Sequence, residues 1–238
     1  MSKLIFFDTE TTGNTENDSL VQIAYKTGEE SFVGLYKPPV KIPPEASAVH
    51  HITNKMVADK PTFKESTDQP IIKKLFEGND SVVVAHNAPF DLMIIEKEDI
   101  KPTNFICTLR LARHLDPEGK IDRYNLQYLR YFLEIEVEAT AHDALGDVLV
   151  LEKLFERLKK KMQEQENLNE DVIIEKMIEI SSHPSLLRSF NFGKHLGKKI
   201  EDVLKVDRGY LEWLLEQKLA SDQIDEDWIY TLKHHLNK

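Results

Sequence analysis

"FFDTETTG" (residues 6–13) closes the first apolar run of the chain with two carboxylates, Asp8 and Glu10, set two residues apart. Residues i and i+2 of a strand point to the same side. Two carboxylates side by side repel unless a cation lies between them. Strand ends are also where ligands sit in open α/β sheets. Hard oxygen donors of this kind select Mg²⁺ or Mn²⁺ over zinc. Read alone, the same pair also fits a polar turn.

The surrounding pattern is α/β. "KLIFFDTE", "LVQIAYKTG" and "SFVGLYKP" read as three successive antiparallel strands. Residues 38–61 are proline-rich and read as a loop ordered only by its neighbours. "DQPIIKKLFEG" reads as a short helix and "SVVVAHNAP" as a buried strand, from its unbroken β-branched run. Helices are expected in "PFDLMIIEKE", "CTLRLARHLDP", "NLQYLRYFL" and "ALGDVLVLEKLFERLKKKM". Asp91 falls near the start of one of them, where the helix dipole is its ordinary explanation. In "HDALGD" (residues 142–147), Asp147 stands among Leu145, Val148, Leu149 and Leu151. Burying it unpaired would be costly, and metal coordination would explain it. A regular helix through all six residues would turn His142 and Asp147 about 140° apart.

The 238 residues suit one medium domain plus a small one. No apolar run approaches the roughly 18 residues of a membrane span, and "MSKLIFFDTE" does not read as a signal peptide. The single cysteine, Cys107, excludes an internal disulfide framework and fits a reducing compartment, so the cytoplasm is expected and no membrane partner. A net charge of −10 argues against nonspecific nucleic-acid binding over the whole surface but allows a local basic site.

"FDTETTG", "AHNAPFD" and "HDALGD", taken in order, resemble the three motifs of the DEDDh superfamily of 3′-to-5′ exonucleases. "ASAVHHIT" is similar to a further segment of that family, with His51 where glycine is commoner; "MVADKP" and "ICTLRLARHL" resemble its exonuclease X branch. The resemblance covers about residues 1 to 160. It implies a ribonuclease-H-like mixed five-stranded sheet with helices on both faces. It implies that Asp8, Glu10, Asp91 and Asp147 hold two divalent cations, Mg²⁺ or Mn²⁺, and that His142 is the general base, carried on the loop entering the helix. Thr11, Thr12, His50, Asn87 and Phe90 are the implied contacts to the terminal nucleotide. Core packing is the alternative for Phe90, and a satisfied structural histidine the alternative for His50 and the favoured reading of His86.

The expected organisation is an exonuclease domain over 1–163, a linker or helix extension over 164–180, and a small α+β module over 181–238, made of a hairpin and two helices. The module carries Arg188, Lys194, Lys198 and Lys199 with no acid between Arg188 and Ile200, a candidate nucleic-acid contact; a solvated hairpin with an aromatic core is the alternative. The preferred substrate is the 3′ end of single-stranded, frayed or mismatched DNA, cut to nucleoside 5′-monophosphates in repair or proofreading. An RNA 3′-end trimmer, a polymerase-associated proofreading subunit and a non-catalytic nucleic-acid-binding domain are the competing readings. A homodimer or a repair or replication partner stays open.

Overall fold

The computed structural model describes residues 2–137, 144–221 and 225–238, with the side chains of 170 and 171 excepted. Its centre is a five-stranded sheet of β1 (Lys3–Thr11), β2 (Leu20–Thr27), β3 (Glu30–Leu35), β4 (Ser81–Ala85) and β5 (Asn104–Cys107), in the order β3-β2-β1-β4-β5. β1 pairs antiparallel with β2 and parallel with β4, so it lies in the middle of a mixed sheet. The alternation of side chains assigns each β1 residue to a face. Ile5 and Phe7 enter one core with Val83, Ala85, Ile94 and Ile95; Phe6 enters the other with Val84, Val148, Leu151 and Phe155. Burial on both faces is what the apolar runs of β1 and β4 require.

Along the chain the helices are α1 (Pro44–His50), α2 (Asp68–Phe76), α3 (Ala88–Lys97), α4 (Thr108–His114), α5 (Leu126–Phe132), α6 (Ala144–Glu166), α7 (Glu170–Ser181), α8 (Ile200–Val206), α9 (Arg208–Leu219) and α10 (Glu226–Leu236). α6 lies across β1 and β2 and buries Val148, Leu151, Phe155, Leu158 and Met162, a three-four spacing that gives one helix face. No helix among the described residues is long and apolar enough to cross a membrane.

Four elements differ from the sequence expectation. The proline-rich segment contains α1 and its own small core of Val21, Ile42, Ala46, Ile52 and Val57. Its prolines sit at the helix start, where a missing N–H costs nothing. β5 is a strand of four residues directly ahead of α4. Residues 164–180 finish α6 and form most of α7, which buries Ile173, Ile174 and Met177 in the same core as Ile106 and Leu111. Among its described residues the C-terminal unit has one bridge, Ser189 to Lys199, a 3-10 turn at Gly193–His195 and three helices rather than two.

That unit has a separate core of Phe190, Ile200, Leu211, Leu214, Trp228 and Leu232. It is pinned to the sheet domain by charge. Buried Arg110 of α4 donates to the Ser181 carbonyl at 2.6 Å and to Glu226 Oε2 at 2.6 Å, and Arg113 donates to Asp227. Asp227 Oδ1 also accepts from the Ser185 amide at 2.7 Å.

Candidate active site

At the end of β1, Asp8 and Glu10 follow Phe6 onto the α6 face, and Thr9 follows Phe7 onto the α3 face. A register shift between Glu10 and Thr11 breaks the ladder's regularity there, and Thr11 pairs with Leu20 beyond it. The turn beyond is tied to itself: Thr11 Oγ1 donates to the Gly13 carbonyl, and Thr12 Oγ1 donates to Asp18 Oδ1 at 2.8 Å. Asp18 Oδ2 accepts from the amide and hydroxyl of Thr15 at 2.8 and 2.7 Å. A Cβ on Gly13 would come within 2.6 Å of the Asp18 carboxylate, which is why glycine stands there.

Asp147, in the first turn of α6, meets Asp8 and Glu10; each offers an oxygen within 4.8 Å of the others. Gln127 of α5 donates to Asp147 Oδ1. Gln22, opposite Glu10 on β2, accepts from the Ala144 amide at 3.4 Å and so holds the start of α6. Asp91 is outside the 4.8 Å set but is the strongest charge acting on Asp8. Its Oδ1 accepts from the Thr9 amide at 3.1 Å and the Thr9 hydroxyl at 2.7 Å, so the residue between the two β1 carboxylates is its tether. Burial, then the charges of Asp91, Glu10 and Asp147, push the Asp8 carboxyl well above the usual range. Burial also pushes Asp91 up, to about 7, against the pull of the two Thr9 hydrogen bonds. A hard oxygen set whose charges repel one another is chemically suited to a divalent cation. His142 and Asp143 lie outside the described residues.

Known proteins are similar to this chain in sequence and in fold. An exonuclease family model matches residues 5–155, and an exodeoxyribonuclease X-like C-terminal model matches residues 190–218. The chain belongs to the exonuclease family. As a 3′-to-5′ exonuclease on a ribonuclease-H-like fold, it is 33% identical over 204 residues to exodeoxyribonuclease 10 of Escherichia coli strain K12, covering 85% of this chain and 83% of the relative. It is 32% identical over 161 residues to DNA polymerase III subunit epsilon of Treponema pallidum strain Nichols, covering 63% of this chain and 73% of the relative. The structure of exonuclease X in complex with 5′ overhanging duplex DNA superposes with a TM-score of 0.59 and 29% identity, over 75% of this chain and 99% of that one. The zinc-bound E. coli ExoI–ssDNA complex shares the fold, with a TM-score of 0.56 and 19% identity over 74% of this chain and 42% of that one.

The exonuclease's remaining candidate residues fall into different settings. His50 ends α1 buried; its Nδ1 accepts from the Ile52 amide at 3.0 Å, and its Nε2 is buried. Burial lowers its pKa. His86 bonds Thr108 Oγ1 at 2.9 Å and the Tyr124 carbonyl at 2.7 Å, and burial lowers it to about 4; it is a structural histidine. Asn87 is exposed in the left-handed conformation that opens α3, and Phe90 is half-buried against the core of that face. Cys107 is buried, and burial raises its thiol. In the C-terminal unit Arg188, Lys194, Lys198 and Lys199 are all exposed, but Lys194 pairs with Asp207 at 2.7 Å. Phe190 and Phe192 pack on Trp228, so the aromatics of that stretch are core. Thr9, Gln22 and Gln127 have no place in the sequence-derived site. The Thr9 contact was open to inference from strand alternation; the two glutamines gave no local signal.

Proposed function

We propose that this exonuclease removes nucleoside 5′-monophosphates from the 3′ ends of single-stranded, frayed or mismatched DNA, in repair or proofreading. The observation that carries the reading is the convergence of Asp8, Glu10 and Asp147 at the end of a central strand, with Asp91 tethered beside them by Thr9. Asp8, Glu10, Asp91 and Asp147 hold two divalent cations, Mg²⁺ or Mn²⁺. When bound, such ions acidify water and stabilise the charge that develops at the scissile phosphate. Gln127 and Thr9 fix the orientation of Asp147 and Asp91, as hydrogen bonds to ligating carboxylates do. His142 takes the proton of the attacking water, a role suited to an imidazole near neutral pH.

His50, Asn87 and Phe90, with the backbone of the Thr11–Thr12 turn, surround the terminal nucleotide; the two threonine hydroxyls are engaged within the turn. Arg188, Lys198 and Lys199 follow the phosphate backbone further along. The DNA preference is supported by a relative named an exodeoxyribonuclease and by the DNA in the solved exonuclease X complex. Matched 3′-labelled DNA and RNA oligonucleotides, incubated with Mg²⁺, Mn²⁺ or a chelator, test it. Mononucleotides should appear from the DNA, only with metal. Faster release from RNA, or internal cuts, would overturn the assignment.

A further inference from the structure

We infer that the outer face of α5 is a base-stacking subsite for the strand behind the terminal nucleotide, an inference that rests on the proposed single-stranded DNA substrate. A concavity of about 370 Å³ is lined by Arg123, Asn125, Gln127, Tyr128, Tyr131 and Phe132. Tyr128 and Phe132 stack with centroids 5.9 Å apart and planes 16° from parallel. Tyr131 is 72% exposed and Phe132 48%. Leu129 is the buried residue of this seven-residue helix; Tyr128 is half-buried, and Tyr131 and Phe132 stay exposed, with the Arg130 guanidinium 5.5 Å from the centre of the Tyr131 ring. Flat π-faces beside an exposed guanidinium and two side-chain amides match a nucleobase and its phosphate more closely than they match an apolar peptide.

Place decides between a DNA strand and any other partner. Gln127 lines this concavity and, from the same helix, donates to Asp147 in the carboxylate cluster. One residue thus belongs both to this concavity and to the hydrogen bonding of the carboxylate cluster. Stacking also suits a chain of net charge −10, because it holds a polyanion without further cations.

The test compares the parent with Tyr131→Ala/Phe132→Ala in hydrolysis and in binding. Binding uses Ca²⁺ in place of the activating ion and a set of single-stranded oligonucleotides, each with one abasic position moved stepwise from the 3′ end. Both rings are exposed, so the variant should fold and should hydrolyse p-nitrophenyl thymidine 5′-monophosphate at the parental rate. At one abasic position the parent should lose about five- to tenfold in affinity, and the variant should lose nothing further there. A parent that degrades DNA yet shows no such position overturns the subsite alone. A parent inert on DNA overturns the substrate reading together with it.

Discussion

Two groups of charge in this molecule are built on opposite rules. At the end of β1 the chain gathers like charges, and burial, then those charges, raise the Asp8 carboxyl well above the usual range. Between α4 and α10 it pairs opposite charges, with Arg110 and Arg113 facing Glu226 and Asp227. The second group is complete as it stands and serves to hold two cores together. The first has a chemical demand that a divalent cation answers. Charge balance within the chain thus separates the two clusters more clearly than burial does, because each mixes buried and half-buried groups.

Substitutions can break that contrast, and the largest effect should be at Asp147. Asp147→Ala should reduce metal-dependent release of mononucleotides about a thousandfold or more, several kcal/mol at about 1.4 kcal/mol per decade, with an unchanged circular dichroism spectrum. Activity within tenfold of the parent would remove Asp147 from the centre. Next comes Asp227→Ala, which takes the carboxylate from Arg113 while Arg110 keeps Glu226 and the Ser181 carbonyl, and should lower the unfolding free energy by about 2 kcal/mol. Denaturant titration measures this, and the variant's hydrolysis of a small chromogenic nucleotide ester should persist under native conditions. Thr9→Val keeps the amide bond to Asp91 and removes the hydroxyl bond. A hydrogen bond to a charged group contributes about 1.5–3 kcal/mol, so kcat/KM should fall about tenfold or more; Thr9→Ser should restore it.

The smallest effect is a dependence on pH. Asp8 and Asp91 titrate higher in the folded chain than the ordinary carboxylate near pH 3.9. Below that pH both states are protonated and the cluster costs nothing. As pH rises towards about 7 the unfolded chain sheds these protons first, so the metal-free fold loses stability. The rise in Tm produced by millimolar Mn²⁺ should therefore be a few degrees larger at pH 8 than at pH 5. Equal shifts at both would show that the carboxylates are not mutually strained.

Much of this was legible in the chain. β1 and β4 announced themselves by apolar runs, and alternation alone put Asp8 and Glu10 on one face. What escaped was set by distance or by disguise. Gln22 reaches the start of α6 across 122 residues, and Gln127 reaches Asp147 from another helix. α1 was hidden because prolines that read as loop are the ones that begin it. α7 was hidden because its cap, Asn169, follows a polar stretch, although Ile173, Ile174 and Met177 carry the helical rhythm. β5 is too short to show a period.

Ser181, the last residue of α7, has a consequence of its own. Its hydroxyl accepts from the Cys107 amide on edge strand β5 at 2.8 Å and donates to the Met177 carbonyl at 2.6 Å, while its own carbonyl receives Arg110. One small residue thus rivets the strand edge, a helix end and the joint to the C-terminal unit. It marks where the polypeptide should tolerate a cut. Cleavage just past Ser181 should leave the β5 edge covered, whereas removal of the chain from α7 onward should bare that edge and invite aggregation.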